Sequence, residues 1–320
     1  MRIIDWFKRI EVQLAIVDIL VALFFGFLNP LYFAWRNIAV VLQYATEIGM
    51  VAIAETLLMI EGEIDMSPAA VANFVPLIAL TMYNTFTAFG IPGLLSMLIT
   101  TILSLGLGAL IGLLNGVITT KAKVNSLITT VGTLFLFNGL ALIYSGGYPQ
   151  PFPYFFFMGG TAKVPMPFVW SFAVFAIVLI FYLFTRFGVW VVATGSNYYG
   201  AYAAGVPVDR VKIATFVISA VIATLMGIVE SVRITTVGAT DFTTDIVLEG
   251  IAASVIGGTL LTGGKGSLIG AILGTFFISE LLNGFNLLGI NAYEFSAIVG
   301  AAILIVMTAQ NIIQKRTAQR

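Results

Sequence analysis

The chain has 320 residues, of which 59% are apolar and only 9% are charged, and its mean hydropathy is +1.04. Soluble domains carry about 25% charged residues, so this composition excludes a soluble domain and indicates a membrane protein. The 15 basic residues are scattered and are balanced by 15 acidic ones, which argues against nucleic acid as a partner. Because the chain has neither cysteine nor histidine, we expect no metal site and no thiol chemistry.

Apolar blocks long enough to cross a bilayer recur along the chain. A spanning helix needs roughly 20 apolar residues, and such blocks lie near residues 13–35, 38–60, 67–84, 92–119, 125–144, 167–185, 211–233, 244–260, 266–289 and 292–311. The blocks 244–260 and 125–144 are weaker, because they contain Glu249 and Asn138, and either could be a broken helix that lines a cavity. We predict one all-α polytopic membrane domain over residues 1–320, with about ten spans or with eight full and two partial ones.

Basic residues are distributed unequally between the two sides of the predicted bundle. If the first segment is cytoplasmic, the outer segments hold only Arg36, Lys163 and Arg233. The inner segments then hold Arg2, Lys8, Arg9, Lys121, Lys123, Arg186, Arg210, Lys212, Lys265, Lys315, Arg316 and Arg320. Cytoplasmic segments of membrane proteins carry such an excess of Lys and Arg. We therefore expect a multi-pass protein of the cell (inner) membrane, in contact with the lipid bilayer, with both termini in the cytoplasm.

The inner connection formed by residues 186–210 contains a predicted surface helix. Asn197 is a typical N-cap, residues 198–204 are long enough for about two turns, and Gly205 and Pro207 end them. A short helix on the cytoplasmic face results. It either simply connects two spans or docks a partner protein.

Motifs of intramembrane enzymes and of nucleotide sites are missing from the sequence. Neither Gly-x-Ser-x-Gly nor Gly-x-Gly-Asp occurs, and without histidine there is no His-Glu-x-x-His zinc site. Residues 257–267 superficially resemble a phosphate loop, but Thr259 and Gly266 stand where that motif requires Gly and Ser or Thr. We predict that the chain is not an enzyme, has no catalytic residue and binds no cofactor itself.

Carboxyl groups within the apolar blocks are the main argument for a rival class, the ion-coupled secondary transporters. They belong to Glu47, Glu55, Glu230, Glu249, Glu280 and Glu294, which lie in or at the edges of predicted spans. An uncompensated carboxylate in the bilayer costs ~3 kcal/mol on insertion scales, so each should face protein or a water-filled path. Glu55 is the strongest candidate, because Glu47, Glu230 and Glu294 lie near predicted span ends that water can reach.

Three segments resemble a known family. Residues 63–67 read Glu-Ile-Asp-Met-Ser, which looks like the Gly-Ile-Asp-Leu-Ser of that family, and residues 195–212 resemble its cytoplasmic loop. The third segment combines residues 257–266 with residues 282–289. In order and over nearly the whole chain, these segments are similar to the integral membrane permeases of ABC importers for monosaccharides of the ribose, xylose and galactose types.

The resemblance implies a transport subunit that moves a sugar or a related polyhydroxy solute into the cytoplasm. Permeases for nucleosides and for branched-chain amino acids have a related architecture and remain alternatives. Two cytosolic ABC ATPase domains would hold ATP and Mg²⁺, and an extracytoplasmic solute-binding protein would deliver the solute. A second copy of the chain, or a sister permease, would complete the pore as a homodimer or heterodimer.

The resemblance also implies which residues contact the ATPase. These are Gly195, Ser196, Asn197, Tyr198, Tyr199, Tyr202, Ala204, Gly205 and Arg210. The chain departs from the family pattern at Glu63, which replaces glycine, and at Glu55, where an apolar residue is usual. Tyr199-Gly200 and Tyr202 replace a pair of small residues and an arginine, which indicates an ATPase with a matching surface of its own.

An internal repeat supports a two-part organisation. The sequence Leu-Leu-Asn-Gly at residues 113–116 recurs at residues 281–284, on the fourth and ninth predicted spans. These spans run in opposite directions, as in inverted-repeat transporters, and we predict two inverted five-helix halves near residues 1–150 and 165–320. The asparagines of the repeat either line the path or form interhelical hydrogen bonds. Our candidate path residues are Glu55, Asn115, Asn138, Asn283 and Asn286.

Overall fold

The computed structural model describes residues 9–161 and 165–290, together with the isolated residues 297, 300, 301 and 308. The described residues form twelve α-helices, one 3-10 turn at Pro30–Phe33 and two paired two-residue strands, β1 (Gln150–Pro151) and β2 (Thr236–Val237). The helices are α1 (Ile10–Leu28), α2 (Trp35–Ile60), α3 (Pro68–Ala88), α4 (Gly93–Lys121), α5 (Ser126–Ser145), α6 (Phe156–Gly159), α7 (Met166–Phe184), α8 (Arg186–Ser196), α9 (Tyr198–Ala203), α10 (Val208–Ile234), α11 (Thr244–Ile256) and α12 (Leu268–Leu287).

Eight of these helices are long and apolar enough to cross a membrane, which confirms the all-α polytopic fold class. They are α1, α2, α3, α4, α5, α7, α10 and α12. The helix α11 has 13 residues, or about 20 Å at 1.5 Å per residue, so the weak block 244–260 is a short helix as expected. The other weak block is an uninterrupted 20-residue helix, α5, so a partial span there is wrong. The tenth predicted span, 292–311, lies outside the described residues except for four isolated positions.

The first predicted span is longer than the helix that the structure shows. The apolar block 13–35 predicts one continuous helix, but α1 ends at Leu28 and a 3-10 turn follows. Asn29 is extended, at φ −143° and ψ 106°, because the proline ring at position 30 excludes the helical conformation for the residue before it. The Asn29 side chain then accepts a hydrogen bond from the Leu31 N–H at 3.1 Å.

Helix α2 forms the centre of the bundle. It packs against α7, α10, α11 and α12, and every residue from Ile48 to Ile60 is buried. A helix that is apolar on all sides is stable only when other helices surround it. The sequence from Met50 to Ala54 shows no polar face, as this position requires.

Contacts between helix ends define two sides of the bundle. The start of α1 meets the start of α12, where Ser267 donates to Glu11 at 2.8 Å, and Lys121 at the end of α4 pairs with Asp209 at the start of α10. We call this the basic side, and the opposite one the far side. The described basic residues of the basic side are Arg9, Lys121, Lys123, Arg186, Arg210, Lys212 and Lys265, whereas the described part of the far side holds Arg36 and Arg233.

The two helices of the internal repeat run in opposite directions, as predicted. Helix α4 ends on the basic side and α12 begins there, so Asn115 lies near the basic side and Asn283 near the far side. The following glycines both allow close packing: Gly116 contacts the backbone of Ile213, and Gly284 contacts the ring of Phe25. The division of the whole chain into two inverted halves stays a prediction.

Candidate coupling surface and transport residues

The predicted surface helix is present as α9. The Asn197 side chain caps it by accepting a hydrogen bond from the Gly200 N–H at 2.8 Å. The helix ends at Ala203, and Gly205 has φ +82°, a conformation that glycine adopts without strain. The local signals in the sequence were therefore sufficient to place this helix.

A second helix in the same segment was not predicted. Residues 186–196 form α8, whereas the sequence pattern predicts only a connecting loop there. The signal was the threonine before it: Thr185 Oγ1 accepts a hydrogen bond from the Phe187 N–H at 3.2 Å and is a regular N-cap. Only Thr185 separates α7 from α8, so the apolar sequence runs almost directly from one helix into the next.

The end of α8 is fixed to the basic-side end of α2. The Gly264 N–H donates to the Ile60 carbonyl oxygen at 2.8 Å, and Ser196 Oγ donates to the Gly264 carbonyl oxygen at 3.4 Å. A side chain at Gly195 would overlap the same Ile60 carbonyl oxygen, so only glycine fits there. Gly195 and Ser196 therefore hold the end of α8 against the end of α2.

Helix α9 presents aromatic side chains to the outside of the protein. Tyr199 is 81% exposed and Tyr202 is 70% exposed, whereas Tyr198 donates from its hydroxyl to Asp209 Oδ1 at 3.3 Å. Ala204 and Arg210, the remaining predicted contact residues, are also exposed. Large aromatic side chains are typical anchors of protein–protein interfaces. We call α9 with its exposed tyrosines the coupling surface.

A cleft of about 710 Å³ adjoins the coupling surface. It lies between α9, the α4–α5 connection and the segment before α3, and its wall contains Tyr198, Tyr199, Tyr202, Lys123, Asn125, Asp209, Lys212 and Glu63. The lining mixes tyrosine rings with charges of both signs. Such a concave, partly charged surface can receive a protruding segment of a partner protein.

An ion pair connects the cleft to the interior. Lys212 pairs with Glu63, and their side chains are only 15% and 13% exposed. This pair gives a physical reason for the glutamate at a position where the resembling family has glycine. Beside it, Glu61 is 3% exposed and accepts a hydrogen bond from Thr215 at 2.9 Å, and burial raises the pKa of Glu61 to about 8.

The segment before α3 forms a buried polar cluster, which we call the Asp65 hub. Asp65 Oδ1 accepts hydrogen bonds from the Ser67 N–H at 2.8 Å and from Ser67 Oγ at 2.6 Å, and Asp65 Oδ2 accepts one from Ser219 Oγ at 2.9 Å. Asn115 Nδ2 donates to Ser67 Oγ at 3.0 Å, and Asn115 Oδ1 accepts from Thr133 Oγ1 at 2.5 Å. Burial raises the pKa of the Asp65 carboxyl. The hub thus joins α3, α4, α5 and α10.

The five candidate path residues fall in different places. Glu55 accepts a 3.4 Å hydrogen bond from the Asp65 N–H, so Glu55 and Asn115 both belong to the hub. Asn138 lies on α5, Asn283 is buried on α12, and Asn286 is exposed near the far-side end of α12. The geometry of Asn115 is that of an interhelical hydrogen bond within this chain, and the transport role of all five residues stays a prediction.

The far side contains a polar cluster that the sequence does not predict. Gln43 Nε2 donates to Glu47 Oε1 at 3.3 Å, and Arg233 Nε donates to Glu230 Oε2 at 2.7 Å. The charges of Glu230, Arg233 and Glu249 lie within electrostatic range of Glu47. The sequence indicates these acidic residues only one by one, because their spacing along the chain does not reveal that α2, α10 and α11 bring them together.

Comparison with known proteins agrees with the resemblance found in the sequence. Residues 37–308 match a family described as the permease component of a branched-chain amino acid transport system. The xylose/arabinose import permease XylH of Sulfolobus acidocaldarius is 59% identical over 308 residues, which cover 96% of this chain and 86% of that protein. The ribose import permease RbsC of Escherichia coli K12 is 30% identical, with 89% of this chain and 88% of that protein covered.

A third relative is named for a different substrate. The autoinducer 2 import permease LsrC of Photorhabdus luminescens is 30% identical over 88% of this chain and 85% of that protein. No solved structure matches the chain. The family match extends over most of the described helices, including the Asp65 hub and the coupling surface. The chain therefore belongs to this family of ABC importer permeases and is a membrane-embedded transport subunit.

Proposed function

We propose that the protein is the permease of an ATP-driven importer for a monosaccharide, with a pentose such as xylose or arabinose as the favoured solute. The observation that carries this proposal is the 59% identity, over 96% of the chain, to a xylose/arabinose import permease. The ribose permeases support a sugar in general. The family description mentions branched-chain amino acids. The three relatives described above, however, are named for sugars or for an autoinducer.

In this proposal the basic side faces the cytoplasm. The described residues of that side include seven of the nine described Lys and Arg residues, and such an excess marks the cytoplasmic side of a membrane protein. The start of α1 is on this side, so the N-terminal end of the bundle is cytoplasmic. The protein then resides in the cell (inner) membrane with the far side toward the solute.

The coupling surface is proposed to dock a cytosolic ABC ATPase. Its exposed tyrosines and the adjoining cleft supply the aromatic and charged contacts that a stable interface needs. ATP and Mg²⁺ are held by the partner, since this sequence has no phosphate loop. Two ATPase domains act on two permease chains, which are two copies of this chain or this chain with a sister permease. An extracytoplasmic binding protein delivers the solute to the far side.

Reconstitution tests this proposal. The permease, its ATPase and its binding protein are placed in liposomes, and uptake of radiolabelled D-xylose, L-arabinose, D-ribose and L-leucine is measured with ATP on the ATPase side. We expect ATP-dependent uptake of a sugar and none of leucine. Sugar uptake driven by a sodium or proton gradient without the ATPase would contradict the proposal, as would uptake of leucine alone.

A further inference from the structure

A cavity of about 330 Å³ opens on the far side of the bundle. It is bounded by the first half of α2, the connection before α7 and the end of α10. Its lining along α2 runs from Arg36 to Thr46, a stretch of eleven residues that spans about 15 Å of helix. The cavity therefore extends well into the membrane region and is large enough for a small organic solute.

Several polar side chains of the far side line the cavity. Both basic residues in the described part of that side, Arg36 and Arg233, line it, together with Gln43 and Thr46. Arg233 is held by the Glu230 carboxylate, and Gln43 is held by Glu47 one turn deeper. In a chain with only 9% charged residues, a group of this kind inside a helix bundle indicates a binding function.

The described part of the opposite wall of the cavity is mainly apolar. Pro165, Pro167 and Phe168 line it, and the ring of Phe168 packs edge-on against Phe276 with centroids 6.4 Å apart. Backbone groups of Gly159 and Gly160 complete the rim. A pocket with an aromatic wall and a few placed donors and acceptors is the usual design for an uncharged polar ligand.

A monosaccharide fits this arrangement. Its hydroxyl groups need donors and acceptors on one edge, which Gln43 and the arginines supply, and its C–H face can lie on the Phe168 ring. The ammonium group of an amino-acid zwitterion needs an anion, but the described lining contains no carboxylate, and the nearby Glu230 is already paired with Arg233. The chemistry of the lining therefore favours a neutral polyol.

We propose that this cavity is the acceptance site, at which a monosaccharide released on the far side first binds the permease. The proposal rests on the function proposed above and adds the residues that hold the solute. Gln43 and Phe168 are its central contacts. Binding there is weak, because a transport path must release its solute after each cycle.

Substitution of the two central contacts tests the acceptance site in the reconstituted complex. In Gln43→Leu and Phe168→Ala we expect ATP-driven D-xylose uptake to fall at least tenfold, while stimulation of ATP hydrolysis by the loaded binding protein stays within twofold of wild type. The number of ATP molecules hydrolysed per xylose then rises. The matched controls are Gln150→Leu, in the far-side strand β1, and Phe172→Ala, whose ring is 61% exposed. Both controls should transport normally.

A structural role would give a different result, namely a parallel loss of uptake and stimulated hydrolysis together with a lower melting temperature. That pattern in both test variants would overturn the proposal, and so would uptake within twofold of wild type. The conservative variant Gln43→Asn keeps the amide and should transport at an intermediate rate with the melting temperature of wild type. If the wild-type complex transports no sugar, the proposed function fails; if it does and the variants do too, only the acceptance site is wrong.

Discussion

The coupling surface and the Asp65 hub are both polar regions on the basic side, but they differ in burial. Tyr199 and Tyr202 on the surface are 81% and 70% exposed, whereas Asp65 and Asn115 in the hub are completely buried. Exposed side chains such as these tyrosines are free to contact a partner protein. Buried polar side chains such as those of the hub form hydrogen bonds with one another within the chain. We therefore expect changes at the coupling surface to affect docking and changes in the hub to affect folding.

The two regions are joined by one ion pair. Lys212 lies 5.6 Å from the centre of the Tyr198 ring and pairs with Glu63, two residues before Asp65. If the ATPase docks on α9 as proposed, the Lys212–Glu63 pair directly connects α9 to the start of α3. Substitution of Lys212 or Glu63 should therefore change both ATPase binding and protein stability. Substitutions far from this pair should change only one of the two.

The largest expected effect is loss of stability from Asp65→Ala. The substitution leaves Ser67 and Ser219 donors without their acceptor in a buried place, and an unsatisfied buried group costs about 1–3 kcal/mol. We expect at least about 3 kcal/mol of lost stability, measured as a large fall in the melting temperature of the detergent-solubilised protein. Asp245→Ala, at an exposed position, is the control and should change little. Equal melting temperatures for both variants would contradict the stabilising role of the Asp65 hub.

An intermediate effect is expected from Tyr202→Asp on the coupling surface. Truncation of an aromatic anchor costs about 2 kcal/mol of binding free energy, which corresponds to roughly 30-fold weaker binding of the ATPase. The melting temperature of the isolated permease should stay unchanged, because Tyr202 is 70% exposed. The loss of binding is measured as the affinity of the ATPase for the permease in nanodiscs. Unchanged affinity and unchanged solute-stimulated ATP hydrolysis would mean that α9 is only a connecting helix.

The smallest effect concerns Glu61, which lies between the two regions. Its folded-state pKa of about 8 is above the ordinary value of 4.5, chiefly through burial, so the folded state favours the protonated form. The stabilisation is complete below pH 4.5 and is lost as the pH rises through 8. Wild type should therefore lose about 1 kcal/mol between pH 7 and pH 9 relative to Glu61→Gln, which does not titrate. The charged neighbours Lys212 and Glu63 are common to both proteins, so melting curves with a constant difference over this range would exclude the effect.

The fold class and α9 were predictable from the sequence because their signals are local. Composition and apolar blocks identify the spans, and Asn197 and Gly205 mark the ends of a helix without reference to the rest of the chain. The errors also have local causes. Pro30 lies within an apolar block although it prevents the helix from continuing, and the Thr185 cap lies between two apolar segments.

The Asp65 hub and the far-side cavity could not be derived in the same way. The hub joins Asp65 to Ser219, which is 154 residues away, and the cavity joins Gln43 to Arg233. No sequence period relates such pairs, since they meet only after the helices pack. The resemblance to a known family pointed to residues 63–67, but only the packing shows that their polar groups are satisfied by α4, α5 and α10.

Photocrosslinking tests most directly the claim that the coupling surface docks the ATPase. The chain has no cysteine, so Tyr199→Cys can be labelled uniquely with benzophenone maleimide. The matched control is Tyr148→Cys, on the far side, where the tyrosine is 74% exposed. Illumination of the assembled complex should join the permease to its ATPase from position 199 and not from position 148. Attachment of the ATPase from position 148, or from neither position in a complex that hydrolyses ATP, would contradict the account.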